Sequence, residues 1–286
     1  MGTMGTWEPT PEQKAQYAEQ GYLIVRGVLS HDTAMEIRGI IKDTILRPEP
    51  GVKADPDPMD PMGDTPAARA ARFRKLSGLG LHSPLVWYTV YAGETTLPIA
   101  RYFLGDDILV KYMSCFLKPA RTGSATPWHQ DNGLWRDGET EPCNMWIALD
   151  PATRANGCLQ FIPGSHRTEI IPHVLYPDSI HGELPRELVR EMIARYGVHY
   201  IELDPGDAVV WHSSLWHYSP PNTSDQSRIA IAAVWTSKAV ADRSCYFRRL
   251  YWAMKDGVRC AAFPPEEYIV GEGRPASPPP FPRASA

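Results

Sequence analysis

Cysteine is scarce in this sequence, and the pattern of its cysteines argues against two protein classes. The five cysteines are odd in number, and no two of them form a C-x-x-C pair. A disulfide framework needs an even set, and a thiolate zinc site needs closely spaced pairs. We therefore expect neither, and we predict a reducing, cytoplasmic location. The five are Cys115, Cys143, Cys158, Cys245 and Cys260.

Long apolar runs and a marked excess of one charge are also missing. No stretch of about 18 apolar residues is present, so we expect neither a membrane span nor a membrane partner. The first residues contain no apolar core of a secretory signal. The 33 acidic and 29 basic residues give a net charge of −4, and the basic residues are scattered. Nucleic acid is therefore not an expected partner.

The chain does contain enough apolar residues for a sizeable core, since 43% of its 286 residues are hydrophobic. The segment Thr10-Pro11-Glu12-Gln13 combines an N-cap, an early proline and a reciprocal glutamine, which predicts a helix to about Gly21. A branched run, "YLIVRGVL", follows. Ser30 then caps a second predicted helix. Its apolar positions at helical spacing are Ala34, Ile37 and Ile41.

Two proline-rich segments are expected to lie outside the regular structure. Residues 48–65, "RPEPGVKADPDPMDPMGD", hold so many prolines and aspartates that neither a helix nor a central strand can persist there. We predict a long surface loop. The tail "PASPPPFPRASA" is predicted to be disordered or draped on the surface.

From about Asp107 onward the sequence consists of short β-branched and aromatic runs separated by turns. Asn156-Gly157 and Pro205-Gly206-Asp207 are turn signals, and the pattern is typical of an antiparallel sandwich or barrel. A helix, "PRELVREMIARYG", interrupts the strands. We predict a single domain over 1–286, with a helical part over about 10–105, a β core over about 106–240 and a C-terminal extension over 241–286.

Within the β core, the segment "TPWHQDNGLW" places His129 and Asp131 two residues apart. If a strand ends there, the two side chains project from one face and can bind a single ion. An imidazole and a carboxylate suit a first-row divalent metal, and two histidines with one carboxylate are typical of non-haem iron(II) oxygenases. This short pattern also arises by chance, so a third ligand from a distant segment is required. "VVWHSSLWHYS" offers His212 and His217.

The sequence resembles the phytanoyl-CoA dioxygenase family of iron(II)/2-oxoglutarate oxygenases over most of its length. The matching segments are "EQGYLIVRGVLS", "PWHQD", "NGCLQFIPGSHR" and "PGDAVVWHSSLWHYSPPNTSDQSRIAI". In the family's final motif, an iron-binding histidine follows a first histidine by five residues, and an arginine comes eleven residues later. Those positions are His212, His217 and Arg228. The resemblance implies a mainly β fold with flanking helices around a double-stranded β-helix, the cupin-like jelly roll.

The resemblance also implies roles for individual residues. His129, Asp131 and His217 would bind Fe(II), leaving positions for 2-oxoglutarate and O2. Arg228 would pair with the far carboxylate of 2-oxoglutarate, since a guanidinium binds carboxylates bidentately and stays charged when buried. Trp146 and Ser219 would line the cosubstrate pocket.

This sequence departs from the wider superfamily at one position. Ala230 stands two residues after the arginine, where many relatives have Ser or Thr, so Ser219 or a residue of "KYMSCFL" must supply a second hydrogen bond to the carboxylate. In related halogenases a small residue replaces the metal-binding carboxylate, whereas Asp131 is intact here. Hydroxylation, desaturation and ring formation all stay open.

Other candidate residues have simpler interpretations. Trp135 follows the ligand pair into a loop and is a candidate substrate contact. His212 is interpreted as a hydrogen-bonded core histidine, Trp211 as a core residue, and His166 as a surface histidine in an exposed turn.

We expect a hydroxylase or related oxidase that oxidises an unactivated carbon of a small organic molecule and releases succinate and CO2. A metabolite is favoured over an acyl thioester because no basic cluster suits a polyphosphate. The substrate should bind under residues 48–65 and the segment 168–197. Two alternatives are a redox-inert metal hydrolase or isomerase in a cupin-like barrel and a non-catalytic iron or 2-oxoglutarate sensor. Oligomeric state is left open.

Overall fold

Two antiparallel sheets face each other in the computed structural model, which describes residues 5–47, 49–56, 73–136 and 143–284. The strands in chain order are β1 (Tyr22–Val25), β2 (Lys53–Pro56), β3 (Phe73–Ser77), β4 (Ile108–Lys118), β5 (Thr126–His129), β6 (Asn144–Ala148), β7 (Leu159–Phe161), β8 (His199–Ile201), β9 (Ala208–Trp211), β10 (His217–Ser219), β11 (Arg228–Ser237), β12 (Arg248–Lys255), β13 (Val258–Arg259) and β14 (Glu267–Val270). The helices are α1 (Pro11–Gln20), α2 (His31–Leu46), α3 (Pro84–Val86), α4 (Thr96–Leu104), α5 (Asp131–Trp135), α6 (Arg186–Tyr196) and α7 (Lys238–Ala241).

Within the described residues the large sheet has ten strands and the small sheet has four. The main path of the large sheet is β1-β9-β6-β11-β4-β12-β13, with β3 pairing with β4, β2 with β3, and β14 with β12. The small sheet has the order β5-β10-β7-β8. Strands from the N-terminal part and from the predicted C-terminal extension thus join the sheet whose centre is β4 and β11. This two-sheet arrangement is the expected jelly roll with flanking helices.

The strand β11 shows how one sequence serves two cores. Ala230 and Ala232 pack between the two sheets, whereas Ile229, Ile231 and Ala233 pack on the opposite face with the N-terminal helices. Alternate side chains of a strand point to opposite faces, so Arg228 shares the inner face with the first two. The small alanines on that face leave space between the sheets.

The predicted N-terminal elements are confirmed. Thr10 caps α1 through the backbone N–H of Gln13, and the Gln13 side chain accepts from the Thr10 N–H in return. Ser30 caps α2 by accepting from the backbone N–H of Thr33. The helical spacing of the apolar residues in α2 indicated which of its side chains face the core. These side chains are buried against the outer face of the large sheet and are those of Ala34, Ile37 and Ile41.

The first proline-rich segment is more ordered than expected where the structure describes it. Residues 53–56 form β2, so the prediction of an uninterrupted loop over 48–65 is wrong there. Among the described residues this strand pairs only with β3, and it ends at Pro56, which suits a sheet edge because proline lacks an N–H. Residue 48 and residues 57–65 lie outside the described residues.

The tail is draped on the surface as one of the two expected outcomes. The Leu175 N–H donates to the Pro282 carbonyl at 2.8 Å, and the Ala284 N–H donates to the Leu175 carbonyl at 3.0 Å. The predicted helix after residue 184 is α6. Among the described residues no helix is long and apolar enough to cross a membrane.

Candidate active site

Three potential metal ligands meet at one end of the small sheet. His129 ends β5 and lies directly opposite His217, which begins β10. Asp131 is the first residue of α5. The Asp131 Oδ1 atom lies 3.6 Å from His129 Nε2 and 3.7 Å from His217 Nε2. These three side chains are the one such group in the described part of the chain whose ligand atoms all fall within 4.8 Å.

Backbone carbonyls orient both imidazoles toward the cluster. His129 Nδ1 lies 2.7 Å from the Pro127 carbonyl oxygen, and His217 Nδ1 lies 2.9 Å from the Leu215 carbonyl oxygen. Because a carbonyl only accepts, each Nδ1 carries the proton and each Nε2 presents its lone pair to the centre. This tautomer is the one that a histidine metal ligand needs.

Two N–H donors hold the carboxylate of Asp131 from the large sheet. Its Oδ2 accepts from Asn144 Nδ2 at 2.6 Å and from Trp211 Nε1 at 3.1 Å. Asn144 and Trp211 lie opposite each other on β6 and β9. Oδ2 is therefore occupied, and Oδ1 faces the histidines. The sequence interpretation of Trp211 as only a core residue missed its contact with Asp131. The sequence could have identified Asn144 as a cavity residue, because it lies on the same face of β6 as Trp146.

The electrostatics of the cluster favour a bound cation. Burial, and after it the neighbouring His129, lowers the pKa of His217 to about 4. Burial alone would raise the pKa of Asp131, but His217, His129 and the Trp211 N–H outweigh it and lower this pKa to about 2. At neutral pH the cluster therefore presents one carboxylate and a neutral His217. That state fits a first-row divalent metal.

A buried arginine lies in the same cavity. Arg228 is 2% exposed, and its guanidinium carbon lies 5.0 Å from the centre of the Trp146 ring. Nη1 donates to the Gly157 carbonyl at 3.1 Å, while Nε has no hydrogen-bond partner among the described residues. Burial lowers the pKa of Arg228 to about 10, so the side chain stays charged. A buried cation without an adjacent carboxylate fits a ligand carboxylate.

Gly157 organises the surroundings of Arg228. Its carbonyl also accepts from Ser219 Oγ at 2.8 Å, so the Ser219 hydroxyl proton is directed to the backbone. Gly157 has φ +87°, and a Cβ there would lie 2.6 Å from the Pro220 carbonyl oxygen and 2.8 Å from Lys118 Cδ. The buried Lys118 ammonium donates to three carbonyls, those of Ser124, Ser219 and Pro220.

All seven residues selected from the sequence border one cavity of about 380 Å³: His129, Asp131, Trp135, Trp146, His217, Ser219 and Arg228. Trp135 lies in its wall with its ring centre 5.2 Å from that of Tyr112, and Lys111 Nζ lies 4.4 Å above the same indole. Ser114 of the segment "KYMSCFL" and Thr126, which pairs with Ser219, also line the cavity. Both hydroxyls are candidates for the hydrogen bond that Ala230 does not provide.

Two further histidines lie together outside the cluster. His212 Nδ1 accepts from the Ser214 N–H at 3.1 Å, so the expected hydrogen bond is present, although the side chain is half-buried and not in the core. His166, interpreted as a surface histidine, lies in a turn outside the cavity lining but is half-buried and not fully exposed. Its half-buried ring lies 5.8 Å from that of His212, and a Cβ on Gly21 would lie 2.4 Å from its Nδ1.

Sequence reasoning missed several cavity residues because they lie in segments without a motif. His181 comes from the segment 168–197, which was expected to cover the mouth, and its ring centre lies 5.0 Å from that of His129. Burial lowers the pKa of His181 well below its usual value. Asp55, Arg74 and Lys75 come from β2 and β3.

The family model described as phytanoyl-CoA dioxygenase (PhyH) matches residues 17–230. The chain belongs to this family. L-proline trans-4-hydroxylase of Streptomyces griseoviridis is 26% identical over 249 residues, which are 80% of this chain and 87% of that protein. The predicted family is thus confirmed.

Solved structures share the fold of this PhyH protein. EctD of S. alaskensis with bound Fe has a TM-score of 0.67 at 20% identity, over 99% of this chain and 91% of that chain. EctD with 2-oxoglutarate and 5-hydroxyectoine has a TM-score of 0.66 at 21% identity, over 84% of this chain and 82% of that chain. The non-heme alpha ketoglutarate dependent carbocyclase SnoK from nogalamycin biosynthesis has a TM-score of 0.64 at 18% identity, over 93% of this chain and 100% of that chain. The predicted fold is confirmed, and so is membership of the iron- and 2-oxoglutarate-dependent dioxygenases, which consume O2.

Proposed function

We propose that the protein is an Fe(II)/2-oxoglutarate-dependent dioxygenase that hydroxylates an unactivated carbon of a small-molecule metabolite. The observation that carries this proposal is the presence of two features in one cavity: the cluster of His129, Asp131 and His217, and the buried Arg228, which pairs with no carboxylate of the described residues. A metal site alone would suit many reactions. The additional cation suits a dicarboxylate that is held at both ends.

Each side chain has a role in this proposal. His129 and His217 offer Nε2, and Asp131 offers Oδ1 while Asn144 and Trp211 hold its other oxygen. Arg228 pairs with the far carboxylate of 2-oxoglutarate against the Trp146 face. Bound iron supplies the activation of O2, coupled to the conversion of 2-oxoglutarate to succinate and CO2. The apolar walls exclude water from the substrate.

The two alternatives make different use of the cavity. A redox-inert hydrolase or isomerase has no need of a buried arginine, and a sensor would bind 2-oxoglutarate without consuming it. The relative named as a proline hydroxylase and the structural neighbour named as a carbocyclase favour an oxidative reaction on a small molecule. A place in specialised metabolism and a small-molecule substrate are therefore proposed together.

The test needs no substrate. Fe(II) and then 2-oxoglutarate are added to the metal-free protein without O2, and the visible charge-transfer band of the chelate is titrated; O2 is then admitted and succinate is measured. We expect the band and slow succinate formation in the wild type, and neither in His217→Ala. Arg228→Met should need about 10- to 100-fold more 2-oxoglutarate, because a charge-assisted bidentate contact is lost.

His212→Ala is the matched control, since this histidine lies five residues before His217 but outside the cluster. Iron binding without a band in the wild type would instead support the redox-inert reaction. A band without succinate after O2 is admitted would support the sensor.

A further inference from the structure

Four histidines lie at or beside the metal cluster, and the backbone orients each of them in the same way. In every one, Nδ1 lies 2.7 to 2.9 Å from a backbone carbonyl oxygen. Because a carbonyl only accepts, Nδ1 carries the proton and Nε2 presents a lone pair. The four are His129, His173, His181 and His217.

Three of these four lone pairs already have a role. His129 and His217 direct theirs at the centre of the metal cluster, and His173 Nε2 accepts from the Gln130 N–H at 3.0 Å. His181 Nε2 receives no hydrogen bond from the described residues. It is also not among the ligand atoms that fall within 4.8 Å of one another. His181 therefore presents a hydrogen-bond acceptor that neither the fold nor the metal cluster uses.

The unused acceptor faces the cavity that contains the metal cluster. His181 lines this cavity, and its ring centre lies 5.0 Å from that of His129, with 68° between the two ring planes. Its Nε2 is not one of the buried side-chain atoms that lack a partner among the described residues. The atom is therefore accessible, and it lies beside the cluster in the space that a substrate would occupy.

The backbone that orients His181 is itself held in place. His181 Nδ1 donates to the Gly182 carbonyl at 2.7 Å, and a Cβ on Gly182 would lie 2.7 Å from the Phe281 ring, which packs directly on this backbone. The next residue, Glu183, exchanges two backbone hydrogen bonds with Val174, at 2.8 and 2.9 Å. A group that is fixed before binding recognises a ligand at a smaller entropic cost.

A hydroxyl group is the ligand group that this acceptor suits best. A neutral imidazole nitrogen accepts one hydrogen bond, whereas an ether or carbonyl oxygen would bring its own lone pairs against it. An ammonium group could also donate, but a second cation beside a bound divalent metal ion is unfavourable. For the same reason the imidazole itself stays neutral there.

We propose that the substrate carries a hydroxyl group, which donates a hydrogen bond to His181 Nε2 and so holds the molecule beside the metal. This inference rests on the proposed function, because it takes the metal cluster as the reaction centre. It makes His181 a residue that selects an alcohol over the corresponding ether, since the ether would leave the acceptor unpaired.

The test uses the anaerobic complex of the protein with Fe(II) and saturating 2-oxoglutarate. The probes are para-fluorobenzyl alcohol and its methyl ether, which keeps the oxygen but cannot donate, and both are observed by fluorine NMR. Relaxation by the paramagnetic iron reports binding beside the metal, and titration gives each dissociation constant. We expect the wild type to bind the alcohol about threefold to tenfold more tightly, as for one hydrogen bond between neutral groups.

Variants of His181 show whether its acceptor causes this preference. His181→Leu should abolish the preference, and His181→Gln should retain most of it, because its side-chain carbonyl can accept. His212→Leu removes a half-buried histidine outside the cavity and should keep the full preference. The affinity for 2-oxoglutarate, read from the charge-transfer band, should be the same in all four proteins, which also shows that the variants are folded.

Three results would overturn the inference. The first is a wild type that binds neither probe or does not prefer the alcohol. The second is a His181→Leu protein that keeps the preference. The third is a His181→Leu protein that loses affinity for Fe(II) or 2-oxoglutarate, which would make this imidazole a support of His129. Failure of the proposed function is seen separately, as a wild type in which the band never forms.

Discussion

At the scale of single residues, the Asp131 carboxylate depends on side chains that do not touch a metal. The Trp211 N–H and the Asn144 amide fix its Oδ2, so that Oδ1 faces the two imidazoles. Such supporting hydrogen bonds orient a ligand and strengthen metal binding.

Trp211→Phe keeps an aromatic ring in place but removes the N–H. We expect Fe(II) affinity to fall by about 10- to 100-fold with little loss of fold stability, measured by anaerobic metal titration. The control is Trp235→Phe, which also removes a buried indole hydrogen bond, to the Tyr91 carbonyl, but in the opposite core. Equal losses in the two variants would mean that the effect is one of stability alone.

Gly157 is the second residue whose backbone shapes the site. Gly157→Ala adds a Cβ at φ +87° within 2.6 Å of the Pro220 carbonyl oxygen, so the carbonyl that receives Arg228 must move. We expect a roughly tenfold weaker affinity for 2-oxoglutarate, by analogy with the loss of one hydrogen bond to a charged group, measured from the chelate band.

Gly197→Ala provides a matched comparison for this prediction. Gly197 also has positive φ, +73°, but a Cβ there meets nothing within 4 Å. The Gly197→Ala protein should have the same kind of backbone strain but an unchanged affinity for 2-oxoglutarate. A Gly157→Ala protein with unchanged 2-oxoglutarate affinity would contradict the role assigned to this carbonyl.

At the scale of elements, the C-terminal tail supports one wall of the cavity. Phe281 packs against Gly182, where a Cβ would lie 2.7 Å from its ring, and against His173 and Arg136. Gly182 follows His181, whose ring lies beside His129. The tail therefore packs behind the segment that faces the metal cluster.

Phe281→Ala should loosen that segment. We expect faster amide hydrogen exchange over residues 173–184, because the contact that covers them is removed. Phe263→Ala, a half-buried phenylalanine beside Tyr88, should change exchange elsewhere. If both variants affect residues 173–184 equally, or neither does, the tail has no supporting role.

The elements also show what the sequence can predict and why other features escape it. The sequence was sufficient to predict α1 and α2, because helix caps and apolar spacing are encoded within a few consecutive residues. By contrast, His166 meets His212 and Lys75 meets the cavity only through tertiary contacts, and β2 forms because β3 supplies its partner. The single-domain layout and the cytoplasmic location stay predictions.

At the scale of the whole molecule, the metal cluster connects the two sheets. His129 and His217 belong to the small sheet, whereas Asp131 is held by β6 and β9 of the large one. A metal that binds only the folded protein stabilises it by about 2.7 kcal/mol at 100 times its dissociation constant.

We therefore expect Co(II), as an air-stable substitute for Fe(II), to raise the melting temperature by several degrees over the metal-free protein. Chelation should reverse the rise. Co(II) should not raise the melting temperature of His217→Ala, whereas it should raise that of His212→Ala as much as that of the wild type. A similar rise in His217→Ala would place the stabilising metal elsewhere.

Buried histidines should also make the metal-free protein sensitive to acid. Burial is the largest cause that lowers the pKa values of His173, His212 and His217 to about 4, below the usual value near 6.5. Protonation then favours the unfolded chain. Their contribution is fully present above about pH 6.5 and is lost as the pH falls toward 4.

Urea unfolding should accordingly show that the free energy of unfolding decreases as the pH is lowered from neutral to 5. Each histidine contributes up to about 1.4 kcal/mol per pH unit to this decrease. His173→Gln, which keeps an acceptor for the Gln130 N–H, should give a shallower slope. A flat wild-type profile would contradict the prediction.

The paired donors behind Asp131 do not depend on the carboxylate that they hold. Both come from β6 and β9 of the large sheet, so loss of the Asp131 side chain would leave the Asn144 and Trp211 N–H groups directed at the vacated space. Two converging N–H groups are a binding site for an anion. The large sheet thus contributes to the metal cluster an anion receptor of its own, and the aspartate is the anion that it receives.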